Sequence, residues 1–298
     1  MSAIRGLLYR VAVSAVALAM LSAPASAASR VDLSHLERRN VAVPHLGSLT
    51  YYIHKTPGLV PGARAPVLVL LHGLGSQPHS WIVNGGVLKQ IDEAVRRGKL
   101  PKCWVVLPEG RAGYWSDWAD GKHPWGSWIH GHLLRDLDKL GRRARDPRWT
   151  AVVGISMGGF GALSLALNHP NSFGFAAGLS ATDLDIATKK PPFRPVYRSV
   201  LGRHIDTKRM RAVNPYQLVQ AGAGSKAQRF LVAWGSREPA KFSAGSERLV
   251  KAMRAKRLNP GVMIVHHGVH GWKTTWLVAQ PWWIRELGTW WRAPAHSR

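Results

Sequence analysis

This chain of 298 residues has little cysteine and few acidic residues. Cys103 is the single cysteine, which excludes a disulfide within the chain and a zinc site built from paired cysteines. The 16 acidic residues are outnumbered by 41 lysines and arginines, so the formal charge is +25 at pH 7. Such an excess predicts weak electrostatic contact with anionic envelope surfaces, such as polymers and acidic lipid headgroups.

Several nucleotide- and metal-binding patterns are also missing. The chain has no H-E-x-x-H pair and no P-loop, and Gly73-x-Gly75 lacks the third glycine of a dinucleotide-binding fingerprint. The basic residues are scattered, without a stripe of interleaved aromatic residues, so the charge does not predict specific nucleic-acid binding. We therefore expect no metal, no cofactor and no specific nucleic-acid partner.

The first 27 residues have the composition of a secretory signal peptide. Two arginines give the segment a positive start, residues 11–21 form a run of apolar and small residues, and an A-x-A cleavage site ends at residue 27. The run is too short for a membrane-spanning helix, although a retained membrane anchor is the alternative. The pattern predicts export to the periplasm or the extracellular space, with residues 28–298 forming the mature domain.

Short apolar segments alternate with amphipathic ones along the rest of the chain. Buried strands are predicted at 66–71, 103–107, 149–153, 173–179, 230–234 and 262–266, and helices at 86–97, 133–145, 159–168, 244–256 and 275–291. Two strands at 41–43 and 49–54 predict an opening antiparallel pair, and the proline-containing segment 181–225 is expected to be irregular. This alternation predicts an α/β fold: a single domain with a mainly parallel central sheet and helices on both faces.

The most informative motif is G-x-S-x-G at residues 154–158. A buried strand precedes it and a helix follows it, which is the context of a nucleophile elbow. Such a turn lifts a serine Oγ above the carboxyl end of the sheet, where ligands bind in open parallel sheets. Gly154 and Gly158 lack side chains, so the turn can close and the helix can pack on the strand. Ser156 is therefore the predicted nucleophile.

A serine hydroxyl needs a base within hydrogen-bond reach, and in elbow-type hydrolases the base is a histidine late in the chain. His270 lies between flanking glycines in the loop after the last predicted strand, and it is the predicted base. His267 is the alternative. For His266, which ends the strand, and for His267, packing or a supporting hydrogen bond is the other interpretation.

The acid of such a site precedes the histidine and follows a strand of its own. Glu238 is the only carboxylate between strand 230–234 and the next helix, which makes it the predicted acid. It would hold the imidazole in one tautomer and stabilise the imidazolium. Asp183 and Asp185, after the preceding strand, are the rival candidates.

The oxyanion formed during acyl transfer needs two backbone N–H donors. One is expected from Met157, the residue after the nucleophile. The other is expected from the loop after strand 66–71, and the amide of Leu74 is the predicted donor. His72, at the start of that loop, is interpreted as structural.

Tryptophan is abundant in two places, with 14 in the whole chain. One group could line an aromatic or sugar-binding cleft, and the other predicts packing of the last helix or a partner surface. These groups are Trp115, Trp118, Trp125 and Trp128, and Trp282, Trp283, Trp290 and Trp291.

Together the motifs resemble the esterase D-like branch of the α/β-hydrolases. L-H-G-L-G at 71–75 resembles its oxyanion segment, G-I-S-M-G-G at 154–159 its elbow, and G-V-H-G-W at 268–272 its histidine loop. That branch includes S-formylglutathione hydrolases, tributyrin- and feruloyl-type esterases and the secreted mycolyltransferases. The segment 107–118 and a glutamate as the acid resemble the mycolyltransferases in particular.

This resemblance implies an α/β-hydrolase fold and a secreted serine carboxylesterase that acts on a small-molecule, lipid or sugar ester through a Ser-His-Glu triad and an acyl-enzyme. An acyltransferase that passes the acyl group to a sugar or lipid hydroxyl is the alternative, and a non-catalytic, cationic envelope-binding protein is a third hypothesis. Two positions depart from the family pattern. Most relatives carry aspartate where this chain has Glu238, and the second tryptophan usual after the histidine loop comes one position late, at Trp276.

Overall fold

A computed structural model describes residues 32–188 and 194–294. All the elements given below belong to the compact unit Ser34–Arg298. The predicted signal peptide lies outside the described residues. Within the described ranges, no helix combines the length and the apolar character that crossing a membrane requires.

Eight strands of the described chain form one sheet, in the order β1-β2-β4-β3-β5-β6-β7-β8. They are β1 (Glu37–Val43), β2 (Gly47–Lys55), β3 (Val67–Leu71), β4 (Trp104–Pro108), β5 (Thr150–Ile155), β6 (Phe175–Leu179), β7 (Arg229–Gly235) and β8 (Gly261–Val265). Strand β2 runs antiparallel to both β1 and β4, and every pair from β4 to β8 is parallel. The mainly parallel sheet and its opening antiparallel pair are confirmed.

Helices connect these strands. They are α1 (Ser80–Val83), α2 (Val87–Arg96), α3 (Trp125–Ser127), α4 (Leu134–Lys139), α5 (Met157–Asn168), α6 (Leu184–Ala187), α7 (Arg194–Leu201), α8 (Thr207–Val213), α9 (Pro215–Gln220), α10 (Ser243–Ala255) and α11 (Leu277–Arg292). A π-helical segment, Trp128–Leu133, joins α3 to α4, and a second one, Trp272–Trp276, leads into α11.

Both faces of the sheet are covered, as the apolar strand segments predict. Strands β3, β4, β5 and β6 are buried at every residue, although successive side chains of a strand point to opposite faces. Helix α5 packs against β5 and β6, and its side chains belong to a core cluster that includes Val152 and Val232. Helix α11 contacts β6, β7 and β8, and its buried Trp283 lies outside that cluster. The core therefore fixes the carboxyl ends of β5, β6 and β7 side by side.

Two expectations about the elements are wrong. The helix predicted at 133–145 ends at Lys139, because the chain turns at Gly141 with a positive φ of 68°. The segment expected to be irregular contains the short helices α6 to α9. Prolines favour helix breaks, yet Pro215 occupies the first turn of α9, where the missing N–H costs nothing.

Of the four tryptophans that could line a cleft, three belong to the core. Trp115, Trp125 and Trp128 are at most 3% exposed, and only Trp118 of the four is partly accessible. The Trp115 indole donates to the carbonyl of His72 at 3.1 Å. Trp115 therefore supports the loop after β3.

Candidate active site

Ser156 stands at the sharp turn between β5 and α5. Its backbone has φ 55° and ψ −115°, a strained combination for a residue with a side chain, and its N–H donates to the carbonyl of Leu179 at 2.8 Å. A Cβ on Gly158 would overlap the backbone carbonyl of Leu71, and a Cβ on Gly154 would overlap the carbonyl of Gly158. The two glycines of the motif are thus required by close backbone approach.

His270 reaches Ser156 across the end of the sheet. Its Nε2 lies 2.9 Å from Ser156 Oγ, and its side chain is 26% exposed. The ring stacks on Phe242 with centroids 3.9 Å apart and meets the edge of Trp276 at 5.0 Å. Packing on both rings restricts the imidazole to the orientation in which Nε2 faces the serine.

Glu238 lies on the other side of the same imidazole. Its Oε2 is 3.5 Å from His270 Nδ1, and its side chain is fully buried. Its Oε1 accepts hydrogen bonds from the Ser180 hydroxyl at 2.7 Å and from the Gly235 N–H at 3.1 Å. Because a carboxylate only accepts, this network assigns the imidazole proton to Nδ1 and leaves Nε2 free to accept from Ser156.

The rival acids are engaged elsewhere. Asp183 is buried and forms an ion pair with Arg248, which also binds Asp185 at 2.9 Å. Asp183 Oδ1 caps the first turn of α6 and accepts from Asn214 Nδ2 at 3.1 Å. The structure therefore places Glu238, and neither aspartate, beside His270.

The neighbouring histidines are engaged away from the serine. His266 and His267 are exposed, and their rings contact each other with centroids 3.8 Å apart. The His267 N–H donates to the Ser236 hydroxyl at 2.9 Å, which ties the end of β8 to the end of β7. Among the described histidines, His270 is the one that hydrogen-bonds Ser156.

The two expected oxyanion donors belong to segments that adjoin Ser156. Met157 is the first residue of α5, so its N–H has no acceptor within the helix. A Cβ on Gly73 would lie 3.5 Å from Ser156 Cβ, so the loop after β3 passes beside the serine. The next residue of that loop, Leu74, is partly buried against the core.

His72 holds this loop in place. Its Nδ1 donates to the carbonyl of Gly73 at 2.9 Å, and its Nε2 accepts from the N–H of Gly110 at 3.1 Å. Both bonds together require the neutral ring, and burial lowers the pKa of His72 to about 4. The ring meets the edge of Trp115 at 5.0 Å, so its contacts are those of a structural residue.

Sequence inspection missed Ser180, whose hydroxyl is the side-chain donor to Glu238. Ser180 directly follows β6, at the same sheet edge as Ser156, and its φ is 52°. The sequence signal that could have identified Ser180 is its position as a polar residue directly after the strand that follows the elbow strand in the chain. The sequence marks Trp276 only as a tryptophan out of place, yet its indole donates to Ser180 Oγ at 2.9 Å.

The π-helical segment Trp272–Trp276 accounts for that displaced tryptophan. The backbone N–H of Trp276 donates to the carbonyl of Gly271, five residues earlier in the chain. A π turn of this kind contains one residue more than an α turn. The extra residue is thereby absorbed, and Trp276 still reaches the site. In the described parts of the chain, no three His, Cys, Asp or Glu side chains are grouped as metal ligands.

Comparison with known proteins agrees with this architecture. Diacylglycerol acyltransferase/mycolyltransferase Ag85A of Mycobacterium leprae is 30% identical over 197 residues, which cover 60% of this chain and 56% of that protein. The MPT51/MPB51 antigen of Mycobacterium bovis is 31% identical over 124 residues, or 41% of this chain and 38% of the antigen. The chain thus spans about half the length of the Ag85A protein that it matches.

Solved structures extend the likeness to the whole fold. A ferulic acid esterase is 18% identical with a TM-score of 0.69, covering 86% of this chain and 98% of its own. An S-formylglutathione hydrolase of Staphylococcus aureus is 17% identical with a TM-score of 0.69, covering 85% and 98%. The predicted α/β-hydrolase fold is confirmed. The sequence profile of the family described as "Putative esterase" matches residues 49–287, from β2 into α11, and the chain therefore belongs to that family.

Proposed function

We propose that this protein is a serine carboxylesterase that works through an acyl-enzyme on Ser156. The observation that carries the proposal is the continuous path from Ser156 Oγ to His270, at 2.9 Å, and from His270 to the buried Glu238, at 3.5 Å. It lies at the carboxyl end of a parallel sheet, in a chain that belongs to an esterase family.

In the first half-reaction, Ser156 Oγ attacks the ester carbonyl carbon while His270 Nε2 takes the hydroxyl proton. The negative charge of Glu238 stabilises the imidazolium. The tetrahedral intermediate then expels the alcohol oxygen, which receives the proton from Nε2. In the second half, water attacks the acyl-enzyme by the same proton path and releases the acid and free Ser156.

The amides of Met157 and Leu74 would donate to the oxyanion of both tetrahedral intermediates. Their supports are rigid, since one amide begins a buried helix and the other follows Gly73, which His72 and Trp115 hold in place. A single fixed donor of this kind contributes about 10²–10³-fold to the rate.

Active-site labelling tests the proposal directly. A fluorophosphonate probe should modify Ser156 in wild type and leave Ser156→Ala unlabelled, and the same substitution should abolish hydrolysis of p-nitrophenyl esters. A fluorophosphonate-binding serine hydrolase of Staphylococcus aureus has the same fold, which supports the choice of probe. Folded wild type that neither labels nor hydrolyses any ester from acetate to palmitate would overturn the proposal.

Acyl transfer is the second candidate, and the similarity to Ag85A favours it. The acyl-enzyme is common to both reactions, so only the acceptor differs. Incubation with an acyl ester plus glycerol or trehalose, followed by mass spectrometry, separates them. Acylated acceptor in excess of free acid would replace the hydrolase assignment with an acyltransferase, whereas free acid alone supports hydrolysis. The assembled Ser156, His270 and Glu238 argue against the non-catalytic hypothesis.

Export of the mature domain, residues 28–298, is part of the proposal. It is supported by the charged start, the apolar run 11–21 and the A-x-A site of the sequence. Protein isolated from its native host should begin near Ala28 on N-terminal sequencing. An intact Met1 in the cytosolic fraction would contradict export.

Weak adhesion to anionic envelope surfaces is the corresponding proposal for the charge of +25. Exposed charges are screened over about 10 Å at 0.1 M salt, so binding to anionic vesicles should disappear by roughly 0.5 M. Hydrolysis of a neutral ester should change little over that range. Vesicle binding that survives high salt would instead indicate an apolar contact.

A further inference from the structure

We propose that Ser180 and Trp276 are positioning residues of this site. The Trp276 indole fixes the Ser180 hydroxyl, and that hydroxyl holds the Glu238 carboxylate in the orientation that serves His270. The inference rests on the proposed function, because it concerns how Glu238 assists His270.

The chemistry of the three groups fixes the direction of the hydrogen bonds. An indole N–H only donates, so the 2.9 Å contact between Trp276 Nε1 and Ser180 Oγ occupies a lone pair of the hydroxyl. The single hydroxyl proton is then free for Glu238 Oε1, at 2.7 Å. Ser180 is fully buried, so water does not compete for either bond.

The carboxylate needs this support because its contact with histidine is the loosest of its bonds. Glu238 is buried, and two short bonds hold Oε1, whereas Oε2 lies 3.5 Å from His270 Nδ1. Its backbone lies in the turn just after β7, so a long side chain with three torsions must fold back toward the imidazole. The Ser180 and Gly235 donors therefore set the rotation of the carboxylate.

Both positioning residues lie on backbone of uncommon conformation: Ser180 has a positive φ, and Trp276 ends a π-helical segment. Ser180 keeps a positive φ, and its N–H donates to the carbonyl of Ala233 in β7 at 2.7 Å. Strained positions of this kind persist where the surroundings define them fully. Trp276 arrives through the π turn, and the hydroxyl of its neighbour Thr275 donates to the carbonyl of Val269 at 2.7 Å. The same turn thus anchors the loop of His270.

The test compares Ser180→Ala, Trp276→Phe and the double variant, using a p-nitrophenyl ester. Removing the hydroxyl leaves the buried carboxylate one donor short, so kcat should fall about tenfold with KM unchanged. Phenylalanine keeps the aromatic edge against His270 and removes only the N–H, so its loss should be about threefold. Since the indole acts through the hydroxyl, the double variant should be no slower than Ser180→Ala alone.

Two buried side chains provide matched controls. Ser246 and Trp283 are at most 1% exposed, and their polar atoms have no hydrogen-bond partner among the described residues. Ser246→Ala and Trp283→Phe make the same chemical changes outside the network, and kcat should stay within about twofold of wild type.

Three results would overturn the inference: losses that multiply in the double variant, a rise in KM with kcat unchanged, or equal losses in the controls. If Ser180→Ala fails to fold, the inference is tested by the kcat of Trp276→Phe relative to that of Trp283→Phe. A ratio near one would overturn the inference. Wild type without labelling or hydrolysis would remove the proposed function itself, whereas active wild type with unaffected variants would remove only this inference.

Discussion

The two sides of the candidate site are built in different ways. On the serine side, backbone contacts with the neighbouring strands hold Ser156, and the His72 and Trp115 side chains hold the loop at Gly73. On the acid–base side, His270, Glu238 and Ser180 come from the ends of three strands and are held by side-chain contacts. Substitutions of the closely packed glycines beside Ser156 should therefore damage the fold, whereas substitutions on the acid–base side should damage the reaction.

Two buried carboxylates, Asp183 and Glu238, differ in whether they are free to stabilise a positive charge on His270. Asp183 is neutralised by its ion pair with Arg248, whereas the Glu238 carboxylate contacts the neutral Ser180 hydroxyl, a backbone N–H and His270. A charge that is already paired gains little from a new imidazolium nearby. In the proposed mechanism, Glu238 gains most when His270 becomes protonated, which is the step that it would assist.

The largest effect is expected on the serine side, for Gly158→Ala. The new methyl group would overlap the backbone carbonyl of Leu71, which cannot move without disrupting β3. We expect little or no folded protein, measured by soluble yield and thermal melting. Gly131→Ala is the control, because a Cβ there meets no atom within 4 Å. A well-folded, active Gly158→Ala protein would break the comparison.

The next largest effect is expected for His270→Ala. Loss of the proposed general base should lower kcat by about 10³-fold or more with KM little changed. The side chain is partly exposed, so the melting temperature should shift by only a few degrees. His267→Ala is the matched control and should keep near-wild-type kcat. A reversal of these two results would reassign the base.

Glu238→Gln and Asp183→Asn test the comparison of the two acids. The glutamine would keep the shape of the side chain and lose its charge, so we expect about a 10²-fold loss of kcat with the fold intact. The asparagine would weaken the ion pair with Arg248, so we expect lower stability and kcat within a few-fold of wild type. Steady-state kinetics and urea unfolding on both variants give the answer. A silent Glu238→Gln with a crippled Asp183→Asn would show that the acid is misassigned.

The same contrast explains what could be predicted from the sequence. The elbow was predictable because G-x-S-x-G, the strand before it and the helix after it are adjacent in the chain. The sheet followed from apolar runs that alternate with helices. Ser180 carries no local motif, since its role depends on β6 lying beside β7 and on Glu238 folding back.

The errors have physical causes of the same kind. Prolines in the segment 181–225 predict an irregular chain because proline disrupts the interior of a helix. In the first turn of a helix, however, proline is well tolerated, as at Pro215. A tryptophan-rich loop is typical of a binding surface, which is why the sequence offers a cleft as one place for Trp115 and Trp128. The core under that loop needs large side chains, and only the packed structure distinguishes the two uses.

The smallest effect is expected from His72, and it tests whether the serine side depends on a neutral imidazole. Burial lowers the pKa of His72 to about 4, against about 6.5 in an unfolded chain. Above pH 6.5 neither state binds the proton, and between pH 6.5 and 4 only the unfolded state does. Stability should therefore fall as the pH falls through that window, by about 2 kcal/mol at pH 5.

The variant His72→Asn isolates this contribution. Asparagine can still donate to the carbonyl of Gly73 but cannot titrate, so the variant should be less stable at pH 7 and lose less stability on acidification. Other histidines also titrate differently in the folded and unfolded states. Burial, and then the nearby His130, lower the pKa of His169 to about 4. Their contributions are the same in wild type and variant, so they cancel in the comparison. Urea unfolding at pH 7 and pH 5 gives the four free energies. Equal losses in wild type and variant would mean that folding does not lower the pKa of His72, and that the loop beside Ser156 does not depend on a neutral imidazole.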